Sequence, residues 1–110
     1  MNRLLFTFML FSTSAMSNDW SEPTEVYEIN TGYKGGMILF KTVSPHYNPN
    51  SVCNAALYAV KSDTADVSHI LSVLLTAQSS RAKIQVGVDS STCSSDNNKY
   101  ISVSRIRIGK

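Results

Sequence analysis

The sequence is poor in the residues that build most catalytic and cofactor sites. Its 110 residues include two cysteines, two histidines, three prolines and five glycines, and only 16% of them are charged. It has no glycine-rich phosphate loop, no cysteine and histidine cluster at zinc spacing, and no carboxylate pair at glycosidase-like spacing. The sequence therefore predicts no catalytic residue, no metal site and no cofactor.

Neither sign of charge dominates, because ten Lys and Arg residues oppose eight Asp and Glu residues. The lysines are dispersed instead of being interleaved with aromatic residues, so we expect no nucleic-acid partner. No apolar run approaches the roughly 20 residues that a membrane-spanning helix needs. We therefore expect no membrane insertion.

Residues 1–17 have the three parts of a secretory signal peptide. Arg3 supplies a positive charge, the apolar run 4–11 follows it, and 15–17 fit the small-x-small cleavage pattern. Cleavage there leaves 18–110 as one small domain. The expected location is the periplasm or the outside of the cell.

Cys53 and Cys93 are predicted to form a disulfide. Export supplies the oxidising environment, and two cysteines allow only one intramolecular pairing. A metal pair is a poor alternative, because His46 and His69 form no cluster with the cysteines. A catalytic thiol is a poor alternative too, since it needs a nearby base.

The spacing of apolar residues predicts five strands and one helix. In chain order these are strands at 25–29, 37–43 and 51–60, a helix at 64–78, and strands at 82–89 and 99–108. In the last strand the apolar phase changes near Ser104 and Arg105, which predicts a β-bulge.

The predicted helix has one apolar stripe and a polar N-terminus. Ser62 and Asp63 are the predicted N-cap residues, and Asp66 is placed in the first turn. The stripe consists of Val67, Ile70, Leu71, Leu74 and Gln78, widened by Leu75 and Ala77.

This order of elements resembles the OB-fold, a five-stranded Greek-key barrel with a helix between the third and fourth strands. In that fold the third and fifth strands lie side by side and run parallel, which would bring the two cysteines together. Secreted chains of this kind are similar to the B subunits of AB5 toxins, of the subtilase-cytotoxin and pertussis-like kind. The resemblance is carried by Trp20, "NPNSVCNAALYAV", "LLTAQ" and "SRIRI". It implies carbohydrate binding and a ring of subunits, and it assigns no sugar-binding residue.

OB-folds bind ligands over the second and third strands, between the first and fourth inter-strand loops. These loops correspond to 31–36 and 90–98 here, and the second is rich in hydroxyl and amide groups. An ordinary solvated loop is the alternative interpretation of that composition. The predicted ligand-binding residues are Tyr33, Tyr47, Thr92, Ser94 and Asn97.

We expect an exported, non-enzymatic binding module whose partner is a cell-surface glycan. The alternative is a periplasmic structural or regulatory protein that binds another protein and takes no small ligand. The run 37–43 holds more apolar residues than one barrel interior accepts, so part of it should face the helix, segment 18–23, or another subunit in a homo-oligomeric ring. His46 and His69 are interpreted as surface residues.

Overall fold

The computed structural model describes residues 18–109, so the predicted signal peptide lies outside the described range. The fold is mainly β with one helix, as the sequence predicts. The elements in order are β1 (Asn18–Trp20), β2 (Val26–Asn30), β3 (Ile38–Thr42), β4 (Asn54–Val60), α1 (Val67–Ser80), β5 (Lys83–Cys93) and β6 (Tyr100–Gly109).

All six strands belong to one sheet, in the order β1-β5-β6-β4-β3-β2. The pairing of β4 with β6 is parallel, as expected for the third and fifth predicted strands, and the other pairings are antiparallel. Within residues 18–109 no strand pairing joins β1 to β2 and closes the sheet. The expected five-stranded barrel is therefore not confirmed.

The additional strand, β1, pairs with β5 through Trp20 and Gly87. It has only three residues, and Asn18 and Asp19 disfavour strands by local preference. Only its partner strand makes this segment extended, which is why no sequence pattern predicted it.

The apolar run in β3 is buried on both faces of the sheet. Ile38 and Phe40 are fully buried and Leu39 is 6% exposed. The sequence left the helix, segment 18–23 and another subunit as candidates to bury this run. Segment 18–23 pairs with β5, which β6 and β4 separate from β3 in the sheet. The core contains Val60, Ile70, Leu74, Val86 and Val103 among others.

Helix α1 begins three residues later than predicted. Lys61 accepts backbone hydrogen bonds from both Thr64 and Ala65, so this stretch is a turn and not a helix. The N-cap is consequently Asp66, whose carboxylate accepts a 3.1 Å bond from the His69 N–H. The predicted caps at 62 and 63 are wrong.

Helix α1 ends at Ser80, two residues later than the predicted end at 78. Arg81 takes a left-handed conformation at φ 62° and donates its N–H to the Ala77 carbonyl. The apolar stripe is narrower than expected, because Leu75 is half exposed and Gln78 is exposed.

Strand β5 is longer than predicted, and β6 contains the predicted bulge. Gly87 lies opposite Arg105 and the next residue, Val88, lies opposite Val103. Ser104 is therefore the extra residue on β6. Since β5 continues to residue 93, Thr92 lies in a strand and not in a loop.

The Cys53–Cys93 disulfide is present, with its Cα atoms 5.4 Å apart. Cys53 immediately precedes β4 and Cys93 is the last residue of β5. The bond therefore joins the beginning of β4 to the end of β5. Strand β6 lies between these two strands in the sheet order and pairs in parallel with β4.

Candidate functional site

A cleft of about 410 Å³ lies between the segment after β1 and the loop between β3 and β4. More of its accessible lining is apolar than polar, and we call it the polar cleft after the residue types that surround it. Its lining combines hydroxyl, amide, carboxylate, imidazole and phenol groups. The residues are Ser21, Glu22, Thr24, Ser44, Pro45, His46, Tyr47, Asn48 and Tyr58.

Tyr58 of β4 forms the floor of the cleft and is 1% exposed. Its ring stacks on Phe40 at a centroid distance of 5.1 Å and lies 4.6 Å from the His46 ring. Its hydroxyl accepts a 2.6 Å hydrogen bond from the Tyr47 N–H. Burial raises the pKa of Tyr58 despite the opposing effect of this bond, so the group stays a neutral phenol at physiological pH.

His46 is fixed by two backbone groups. Its Nε2 lies 3.2 Å from the Thr42 N–H and its Nδ1 lies 2.7 Å from the Ala55 carbonyl. An N–H can only donate and a carbonyl can only accept, so these partners assign the neutral tautomer protonated on Nδ1. With both nitrogens bound to backbone groups, His46 orients the loop.

Asn48 has one half of its amide occupied and the other half unsatisfied. Its Nδ2 donates to the Cys53 carbonyl at 3.0 Å. Its Oδ1 is buried and has no hydrogen-bond partner among the described residues. A buried acceptor without a donor costs free energy.

The opposite wall of the cleft is anchored on β5. The Ser21 hydroxyl accepts from the Val86 N–H at 2.9 Å, and Thr24 exchanges two backbone bonds with Ile84. The Thr24 hydroxyl in turn accepts from the Ser44 N–H at 3.1 Å. The wall and the loop are thus held to each other and to the sheet.

Three polar groups of the lining remain accessible. Glu22 and Ser44 are exposed and Tyr47 is half-buried, with its ring packed on the core. Their carboxylate and hydroxyl groups make no side-chain hydrogen bond within residues 18–109. They can accept from and donate to a ligand rich in hydroxyl groups.

Of the five predicted ligand-binding residues, Tyr47 lines this cleft. Tyr33 is 44% exposed in the turn between β2 and β3. The other three lie at the end of β5 and in the loop that follows it. Their binding role stays a prediction, because the cleft does not include them.

The hydroxyls at the end of β5 are already used within the protein. Thr92 donates to Asp89 at 2.9 Å and buried Ser94 donates to Asp96 at 3.1 Å. Burial works against ionisation of Asp89, but donors from Ser91 and Thr92 outweigh it and lower the pKa of that carboxyl. Asn97 is exposed.

Sequence reasoning missed the wall residues Ser21, Glu22 and Thr24, as well as Asn48 and Tyr58. The wall residues belong to an irregular segment whose position depends on β1 pairing with β5. Asn48 carried one usable signal, since it lies between two prolines in a loop that cannot continue either strand.

Comparisons of this chain with protein-family models, with curated proteins and with solved structures find no match. Among residues 18–109, no three His, Cys, Asp or Glu residues are grouped so that they could hold a metal ion. The same part of the chain contains no helix with the length and apolar character needed to cross a bilayer.

Proposed function

We propose that this chain is an exported, non-enzymatic binding module that recognises a hydroxyl-rich ligand, such as a cell-surface glycan, in the polar cleft. The observation that carries the proposal is the set of accessible acceptors and donors beside the half-buried Tyr47 ring. These groups are the Glu22 carboxylate and the Ser44 and Tyr47 hydroxyls.

Sugars fit this chemistry because adjacent hydroxyls can bind one carboxylate while an apolar ring face packs on an aromatic side chain. The non-enzymatic part of the proposal is supported by His46, whose two nitrogens are bound to backbone groups. The exported location is supported by the disulfide, since such bonds persist in oxidising compartments.

We further propose that the sheet corresponds to an OB-like barrel whose first strand is split into β1 and β2. The two segments are consecutive in the chain and lie at opposite ends of the strand order. Thr24 bonds to Ile84 of β5, while the next carbonyl, that of Glu25, accepts from Val43 beyond β3. A toxin B-subunit-like role would add a ring of subunits, which the native mass of the protein tests.

The binding proposal is tested by screening the disulfide-bonded chain on a glycan array and titrating hits calorimetrically. We expect Glu22→Gln and Ser44→Ala to weaken binding by about tenfold or more, because each removes a polar contact to the ligand. Glu25→Gln is the matched control, since Glu25 lies outside the cleft. Equal affinity of Glu22→Gln and the unchanged chain would refute the assignment of the cleft.

The second candidate function is that of a protein-binding structural or regulatory protein. It is favoured by Tyr27 and Leu75, which are 65% and 50% exposed. Gln78, one turn after Leu75, donates to the Tyr27 carbonyl at 3.3 Å, so the two apolar side chains belong to neighbouring elements. Loss of a defined protein partner in Tyr27→Ser, with glycan binding absent, would favour this function.

A further inference from the structure

A basic face lies on the exposed side of the hairpin formed by β5 and β6. Lys83, Arg105 and Arg107 are all exposed. Gln85 pairs with Arg107, and Lys83 lies two residues from Gln85, so side-chain alternation places it on the same face. The bulge at Ser104 shifts the phase of β6 and turns both arginines outward.

Arg107 is held in one orientation by two contacts. Its guanidinium carbon lies 4.0 Å from the centroid of the Trp20 ring, and its Nη1 donates to the Gln85 Oε1 at 3.2 Å. The Gln85 amide is itself fixed, because its Nε2 donates to the Ser21 carbonyl at 3.0 Å. A guanidinium oriented in advance loses less freedom when it binds a ligand.

Most of the donor capacity of Arg107 is unused. A guanidinium has five N–H donors, and the contacts within residues 18–109 use one of them. Neither Arg107 nor Lys83 forms an ion pair with a carboxylate of the described residues. Two positive groups are therefore left without a negative partner from this part of the chain.

Both cations line one small cavity of about 240 Å³. Pro23 and Ile108 form its apolar walls. Gly109 lies opposite Lys83 and contributes no side chain that would fill the space. The cavity thus offers a planar bidentate donor, a second point charge and apolar walls.

We propose that this cavity is a binding site for an oxyanion, either a carboxylate or a phosphoryl group carried by a small ligand. Arg107 pairs with two oxygens of the anion while Lys83 contributes charge, and the Trp20 ring supports the guanidinium from below. The cavity and the polar cleft have no lining residue in common, although the Gln85 amide that orients Arg107 is held by the carbonyl of Ser21, a residue of the cleft.

The sole tryptophan of the chain reports directly on the site. We would titrate the protein with glucuronate, with glucose 6-phosphate and with glucose, following Trp20 emission and its indole N–H resonance. We expect saturable changes with at least one acidic sugar and none with glucose, and the tighter ligand identifies the carboxylate or the phosphoryl source. Absence of a saturable change with both acids, or an equal change with glucose, overturns the proposal.

Variants that each remove one positive charge distinguish a defined site from general electrostatic attraction of an anion to the basic face. Arg107→Gln and Lys83→Gln should each weaken binding by about tenfold or more, since a hydrogen-bonded charge is lost. Arg105→Gln removes the same charge from the same face outside the cavity and should change affinity by less than about twofold at physiological salt. Equal losses in Arg105→Gln and Lys83→Gln would show only general attraction and refute the site.

Discussion

Gly87 is the residue at which a single added methyl group has the clearest consequence. An ideal Cβ there would lie 3.1 Å from two ring atoms of Trp20 and 3.3 Å from the Arg105 carbonyl oxygen. Real Cβ atoms rarely approach neighbours so closely, and a packed indole ring cannot move aside freely. The absence of a side chain at 87 is therefore what lets Trp20 lie against β5.

We predict that Gly87→Ala displaces Trp20 and lowers the free energy of unfolding by about 1–3 kcal/mol. Urea unfolding measures the loss, and a change in tryptophan emission reports the displacement. Gly109→Ala is the matched control, because nothing lies within 4 Å of its added Cβ. In a Trp20→Ala background the cost of Gly87→Ala should shrink, and an undiminished cost would contradict the proposed clash.

At the same scale, sequence reasoning predicted which element holds a residue, but not which groups its side chain contacts. It placed His46 in a loop at the surface, whereas its ring is half-buried and bound by Thr42 and Ala55. Those partners are backbone atoms four and nine residues away along the chain. Their distance to the ring depends on how the loop folds over Tyr58, which residue types do not encode.

At the scale of elements, the apolar period located every strand of four or more residues and the helix to within a few positions. The errors lie where loop chemistry decides the boundary. Helix α1 starts late because Lys61 closes a turn with Thr64 and Ala65, which leaves Asp66 as the first residue able to cap. Strand β5 extends past residue 89 because it pairs with β6 at Cys93 and Ile101.

The charged cap at Asp66 predicts that the free energy of unfolding decreases in acid. The His69 N–H is the main cause that lowers the pKa of Asp66 below its ordinary value of 3.8, and the Ser68 hydroxyl adds to it. A depressed native pKa means that the stabilisation is fully present above that ordinary value. It is lost as the pH falls through the native pKa.

We therefore predict that Asp66→Ala lowers the melting temperature at neutral pH, since the helix loses its cap. Asp66→Asn keeps a good N-cap side chain and should be less destabilising. The melting temperatures of the unchanged chain and of Asp66→Ala should converge as the pH falls below 3.8, which thermal melts followed by circular dichroism measure. A difference that persists undiminished in acid would contradict the role of the charged cap.

At the scale of the whole molecule, the parallel pairing of β4 with β6 brings distant parts of the chain together. Cys53 and Cys93 are 40 residues apart in sequence, and the parallel alignment leaves their Cα atoms 5.4 Å apart. The predicted parallel pairing and the predicted disulfide are both confirmed here. The strand count could not be predicted in the same way, because β1 exists only through its pairing with β5.

The disulfide also connects the stability of the sheet to the shape of the polar cleft. The Cys53 carbonyl accepts from the Asn48 amide, so the residue that bears the sulfur also orients a lining side chain. Loosening the beginning of β4 would therefore change the position of the Asn48 side chain in the polar cleft, because one hydrogen bond joins the two.

We predict that replacing both cysteines by serine lowers the free energy of unfolding by about 2–5 kcal/mol, because the unfolded chain regains the freedom that the closed loop denies it. Urea unfolding of the oxidised chain, the chain with added reductant and the double variant measures this loss. Cys53→Ser alone and Cys93→Ser alone should each cost nearly as much as the pair, since either removes the same bond. Additive single losses, or unchanged stability in reductant, would mean that the bond contributes little and that strand pairing alone holds β4 against β6.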